Sequence, residues 1–274
     1  MRFCRIISIV AALLVGGAGL CIGQGIAHYP TPEQPAGTPR LQFDIISVKP
    51  APPDQRSGGV QPTPGYEGYI CDNASLFTDM TVAYGVTGRQ IEGGPDWIRS
   101  QPWDIEAKSD RPHSIDELHL MLEHALEGRF SLKLHHETRQ ESVLALEVDP
   151  HGAKLKLHEP ENDTNTPPIG IGPGSQPNTL ALSGTNVSMT YLAFMLTRLG
   201  STPVLDRTGL DGHYDFSVEF PTPPRPENGA APGPPDFTPL FDAMRDQLGL
   251  QLRRGGKGPV DHLVIDSVQK PTAN

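Results

Sequence analysis

The sequence predicts an α+β fold built from an internally duplicated unit. In it, helices pack on one face of small, mainly antiparallel or mixed sheets. Three observations lead there. Amphipathic helical periods alternate with short runs of strand-like alternation, so neither an all-helical nor an all-strand layer accounts for the chain. The same motifs return in order in the second half. Asn73-Ala-Ser-Leu76 reappears as Asn186-Val-Ser-Met189, Trp103-Asp-Ile-Glu-Ala107 as Tyr214-Asp-Phe-Ser-Val218, and Phe130-Ser-Leu-Lys-Leu134 as Leu248-Gly-Leu-Gln-Leu252, at offsets of 113, 111 and 118 residues. Finally, 22 of the 29 Pro fall in residues 30–64, 159–178 and 221–239 and mark the connectors.

The chain divides accordingly. Residues 1–23 read as a secretory signal, with Arg2 and Arg5 ahead of an apolar run from Ile6 to Leu20. Cleavage after Gly23 leaves Gln24 as the mature start, and acylation of Cys21 is the alternative. Residues 24–40 form a Pro-rich tether, and 41–157 form the first α+β repeat. That repeat opens with a strand over Gln42–Val48 and has a first helix carrying Leu76, Met80 and Ala83. Its second helix begins at a capping box of Ser114 and Glu117, followed by Leu118, Met121, Leu122 and Ala125 on one face. Residues 158–178 are a Pro/Gly-rich linker, and 179–274 are the second repeat with a Pro-rich insertion at 221–236. Its helices carry Met189, Leu192, Ala193 and Leu196, then Leu240, Phe241 and Met244 behind a Thr238 cap and Pro239.

Each repeat thus reads helix, strand, strand, helix, strand, strand. The closing pairs are Phe130–Leu134 with Val143–Val148, and Leu248–Leu252 with His262–Val268. Arg253, Arg254 and Lys257 then sit at the tip of a Gly-rich hairpin. Val268-Gln-Lys-Pro271 echoes Val48-Lys-Pro50, which places the C-terminal and N-terminal strands in related positions.

Charge and motifs narrow the chemistry. A formal net charge of −10 without a basic stripe argues against nucleic acid and against an anionic membrane surface. No apolar run beyond the signal approaches a membrane span, so no stable span is expected after cleavage. Cys4 and Cys21 fall in the signal, which leaves Cys71 as a lone thiol and a small buried hydrophobe. Gly-x-Ser-x-Gly, P-loop and His-Glu-x-x-His patterns are absent.

Five histidines crowd residues 113–136. His119 and Glu123 share a helix face and His124 points away, so the two-histidine zinc spacing is missed. His135 and His136 face opposite sides of a strand. This cluster reads as a solvated helix face and a strand edge. Glu159, Glu161, Asp163 and Asn165 lack the Gly and terminal Glu of a calcium loop. Gly170-x-Gly172-x-Gly174 lies in a linker and is no phosphate cradle. Asp104 and Asp215 are equivalent in the repeats and read as turn-capping carboxylates, with Trp97, Trp103 and Tyr214 as packing. No catalytic, cofactor-binding or metal residue is assigned.

The ordered motifs Phe43–Pro50 (FDIISVKP), Gly93–Lys108 (GGPDWIRSQPWDIEAK), Arg129–Thr138, Pro203–Phe220 and Gly258–Pro271 resemble an uncharacterised family of exported proteins expanded in soil acidobacteria. The resemblance covers residues 41–274 and implies a domain of unknown function. The first helix departs from the family's Leu-Arg-x-Leu-Ile run, reading Leu76-Phe-Thr-Asp-Met80. A weaker likeness, at the level of fold, is to the short N-terminal domains of secretins and TonB-dependent receptors, which are protein-interaction modules. The expectation is an exported, periplasmic or secreted, non-enzymatic module with an envelope or extracellular protein partner. An envelope hydrolase with a site between the halves and a small-ligand or metal binder are the alternatives.

Overall fold

The computed structural model describes residues 37–55, 58–159, 169–200, 202–222 and 236–271. The signal, most of the tether and the middles of the two Pro-rich stretches lie outside the described residues, including Cys4, Cys21, Glu161, Asp163 and Asn165. Among the described residues there are five α-helices and twelve strands. The first half supplies β1 (Ile45–Pro50), β2 (Gly59–Pro62), β3 (Gly68–Ser75), α1 (Leu76–Ala83), a 3-10 turn (Gly88–Gln90), β4 (Ile91–Gly93), α2 (Trp97–Ser100), β5 (Pro102–Lys108), α3 (Ile115–Phe130) and β6 (Lys133–Val148). The second supplies β7 (Lys156–Leu157), β8 (Ile169–Pro173), β9 (Thr179–Ser188), α4 (Met189–Gly200), β10 (Val204–Asp206), β11 (His213–Pro221), α5 (Thr238–Leu248) and β12 (Leu250–Ser267).

The strands form three four-stranded sheets in the orders β1-β5-β3-β2, β7-β11-β9-β8 and β10-β6-β12-β4. The first two are wholly antiparallel and match strand for strand. The third is mixed, with β6 and β12 antiparallel at its centre and β10 and β4 parallel at its edges. The fold is therefore α+β, with the internal duplication visible in the sheet topology.

The central sheet corrects one expectation. Phe130–Leu134 with Val143–Val148, and Leu248–Leu252 with His262–Val268, do not form hairpins. One long strand runs through most of each stretch, β6 from Lys133 and β12 from Leu250, and the two pair with one another from Leu250↔Val148 to Ser267↔Lys133. Gly255 and Gly256 do not turn the chain. They lie at a register shift, with Gly256 at φ 73°, where an extra residue bulges out of the ladder. Arg253, Arg254 and Lys257 are consequently mid-strand residues. The strand echo is corrected too: the counterpart of β1 is β7, since Lys49 lies opposite Asp104 and Lys156 opposite Asp215.

The edges of the central sheet are exchanged. β4, from the first half, pairs with β12, and β10, from the second, pairs with β6. The cores follow. Leu263 and Ile265 of β12 are buried in the first core with Leu118, Met121, Leu126 and Phe130. Leu146 of β6 is buried in the second with Leu192, Leu196, Leu240 and Met244. Neither half closes its core without a strand end from the other.

Local chemistry sets the helix ends. Ser75 accepts the Thr78 N–H at 3.2 Å to start α1, and Ser114 and Glu117 complete their capping box at α3. α5 starts one residue earlier than read, with Phe237 at the cap position and Pro239 in the first turn. Gly249 ends α5 in the left-handed region, and a Cβ there would stand 2.0 Å from the Gly152 carbonyl oxygen, so only glycine fits. No helix among the described residues is long and apolar enough to cross a membrane.

Candidate functional site

The two equivalent carboxylates do equivalent work. Asp104 accepts the Asn73 N–H at 2.8 Å and Asp215 accepts the Asn186 N–H at 3.0 Å. Both asparagines are left-handed, at φ 46° and 56°, and each lies where its ladder shifts register. The aspartates therefore hold two bulges, as expected of capping groups. Asp215 also lies 2.7 Å from His158 Nδ1. Although desolvation opposes it, the Asn186 N–H and His158 hold this carboxyl below its ordinary pKa.

The first core contains polar groups at positions that are apolar in the second. Asp79 is fully buried on α1, and neither of its oxygens makes a hydrogen bond of normal geometry. The Cys71 thiol on β3 is near enough to interact, but burial dominates and pushes the Asp79 pKa up to about 7. Burial, with Asp79 adding to it, also raises the Cys71 thiol. His119 Nε2 lies 3.1 Å from the buried Tyr69 hydroxyl. Burial, aided by the nearby Arg198 guanidinium of α4, lowers His119 to about 4, so it is neutral at pH 7. His119 and Glu123 are both buried, which corrects the reading of that face as solvated. The fold places them inward because α3 lies against β3 and α1.

His135, His136 and His262 are held by carboxylates along the central strands. His135 and His136 do face opposite sides of β6. His135 Nδ1 is 2.9 Å from Asp266, and His136 Nδ1 is 2.6 Å from the buried Asp261. That bond raises the His136 pKa. His262 is buried between Glu141 at 2.7 Å and Glu92 at 3.2 Å. Arg139 bridges Glu92 and Glu137, and its hydrogen bond is the main cause of the lowered Glu92 pKa. These pairs stitch β4, β6 and β12 together. Among the described residues no group of three or more His, Cys, Asp or Glu is arranged to hold a metal ion.

A third arrangement lies between β5 and α3. Ser109 Oγ is 2.9 Å from His113 Nε2, and His113 Nδ1 is 3.1 Å from Glu117 Oε2. The His113 ring is almost wholly buried. Sequence reading missed this set because the capping box already explained Glu117. The available signal was the spacing Ser-x₃-His-x₃-Glu across a helix start.

Two surface features complete the inventory. Gly170-x-Gly172-x-Gly174 is not featureless linker, because Ile169–Pro173 forms β8 at the edge of its sheet. Ile171 in that strand is 43% exposed, among the few large apolar residues that are. Two open depressions, of about 270 and 500 Å³, are lined by Thr81, Thr87, Arg89 and Arg198, and by Asp149, His151, Lys154 and Arg245.

The architecture defines an α+β protein of two interlocked, duplicated halves whose repeated carboxylates are structural. A family model described as "Protein of unknown function (DUF3738)" matches residues 78–268, so the chain belongs to that family. No curated protein and no solved structure matches the chain.

Proposed function

We propose that the chain is an exported, cell-envelope interaction module that takes an extended segment of a partner protein along β8. The observation that carries this reading is the geometry of that edge. The Gly174 N–H donates to the Thr179 carbonyl at 2.9 Å, which sets the phase of the β8–β9 ladder. Gly170 and Gly172 therefore turn their backbone groups toward β9, while Ile169 and Ile171 turn theirs outward. Among the described residues no strand pairs with that outer side. Edge strands are commonly blunted by charge. This one presents Ile171 beside the buried Leu182 instead, so an added strand would gain both ladder hydrogen bonds and apolar cover.

Export is part of the proposal and draws on Arg2, Arg5 and the Ile6–Leu20 run. N-terminal sequencing of the exported protein is expected to begin at Gln24. In-cell cross-linking of the native protein, with mass spectrometry of what is captured, tests the docking role. A reproducible envelope protein, lost in Ile171→Pro and kept in the exposed-residue control Arg254→Ala, is the expected result. A capture set identical to that of an unrelated exported protein would end this reading.

A further inference from the structure

We propose that Ser109, His113 and Glu117 form a nucleophile–base–carboxylate relay that makes Ser109 an acyl-accepting serine for small activated esters. This inference goes beyond the edge-strand reading and is independent of it, since the residues lie in the other half of the molecule.

The hydrogen bonds fix the direction of proton flow. A carboxylate can only accept, so the proton between Glu117 and His113 sits on Nδ1. In the neutral ring Nε2 then carries the lone pair, and the Ser109 hydroxyl at 2.9 Å donates to it. This is the arrangement that activates a weak serine nucleophile: a base in reach of the hydroxyl, and a third group orienting the base. The His113 side chain is 4% exposed and Glu117 35%, so the base is shielded while its carboxylate borders solvent.

The backbone holds the relay in place. The Ser109 N–H donates to the Glu67 carbonyl at 2.7 Å and the His113 N–H to the Tyr66 carbonyl at 2.9 Å. Two adjacent residues of the β2–β3 loop therefore fix both nucleophile and base. Tyr66 supplies its carbonyl from φ 58°, a left-handed conformation unfavourable for a bulky side chain. Strain of that kind persists where the surroundings over-determine it and is found preferentially at functional sites.

The duplication separates this set from the scaffold. At the 111-residue offset that relates Asp104 to Asp215, the counterpart of Ser109 is Phe220, which is buried. The capping box explains Glu117 at the Ser114 N–H, 3.2 Å away. It gives no reason for a buried histidine on the same carboxylate or for a serine beyond it.

The chemistry balances. Ser109 Oγ attacks the ester carbonyl carbon, and its proton passes to His113 Nε2. The bond from that carbon to the leaving oxygen breaks, and the departing oxygen takes the proton from His113. A water molecule then attacks the acyl-Ser109, with His113 taking and returning its proton, and frees the acid.

The test uses the mature protein and a fluorophosphonate probe, which forms an Oγ–P bond as fluoride leaves, with mapping of the adduct by mass spectrometry. The expected result is a single adduct on Ser109, abolished in Ser109→Ala. Glu117→Gln is the discriminating variant, because glutamine also completes a capping box but cannot stabilise a protonated His113. It is expected to keep the parent melting temperature and to lose at least about tenfold in labelling rate. No adduct at Ser109, or labelling as fast in Glu117→Gln as in the parent, would overturn the proposal.

Discussion

In the first half Asp79 fills the buried position that Leu192 fills in the second, and the same contrast recurs around it. Tyr69 stands opposite Leu182 in the alignment of the halves, Cys71 opposite Gly184, His119 opposite Phe237 and Glu123 opposite Phe241. Packing changes with chemistry. Cys71 pairs with Ile105 in the first half, whereas Gly184 makes room for Phe216, whose ring would lie 2.5 Å from a Cβ at that glycine. One backbone unit thus carries two kinds of core. The second is apolar and conventional, and the first holds ionisable groups at a cost in desolvation. Features shared by both halves, such as the bulge-holding aspartates, belong to the scaffold. Features confined to one half, such as Ser109–His113–Glu117 and the exposed Ile171 on the β8 edge, are where specific function is to be sought.

The largest effects should come from the exchanged strand ends. Leu263→Ala and Leu146→Ala each remove a fully buried side chain from the core of the opposite half. Each is expected to cost about 2–5 kcal/mol in urea unfolding and to shift a single transition seen by all probes. Two separated transitions, with only one of them moved, would break the picture of interlocked halves.

Asp79→Leu makes the first core resemble the second and is expected to stabilise the protein by about 1–3 kcal/mol at pH 8. The sign follows from proton linkage. Asp79 titrates near 7 when folded, above its ordinary value near 3.8. The folded state therefore binds more protons in that window, and stability falls as pH rises from about 4 to 7. Unfolding measured at pH 5 and pH 8 should show this loss in the parent protein and a smaller one in Asp79→Leu.

Asp104→Ala and Asp215→Ala should each cost about 1–2 kcal/mol by thermal or urea unfolding, because each leaves one bulge N–H without its charged acceptor, with Asp215→Ala at the upper end because His158 also loses its partner. Costs that differ widely would show that the two carboxylates are not equivalent. The smallest effect on stability is expected for Ile171→Lys, within about 0.5 kcal/mol, since the side chain already meets solvent. The same variant should abolish capture of the partner.

The repeat, the helix faces and the equivalence of Asp104 with Asp215 were legible in the sequence because each leaves a local pattern. The exchange of strand ends was not. Residues 135–142 are polar, and a polar stretch between two apolar ones reads as a turn. In the folded protein β6 continues through it, because β12 runs alongside and Asp261, Asp266, Glu92 and His262 answer its charges. Gly255-Gly256 misleads in the same way, since glycine serves a bulge as well as a turn. The burial of His119 and Glu123 was hidden because polar residues at helical spacing usually mark the solvent side. Ser109–His113–Glu117 stayed hidden because one residue, Glu117, does two jobs and the capping box accounts for only one.

Hydrogen–deuterium exchange of the native protein, followed peptide by peptide, tests the interlocked fold most directly. The fold predicts that residues 133–148 and 250–267 are protected along their whole lengths and lose protection together as urea rises. Rapid exchange across residues 138–142 and 254–258, with protection only on either side, would restore two separate hairpins and contradict it.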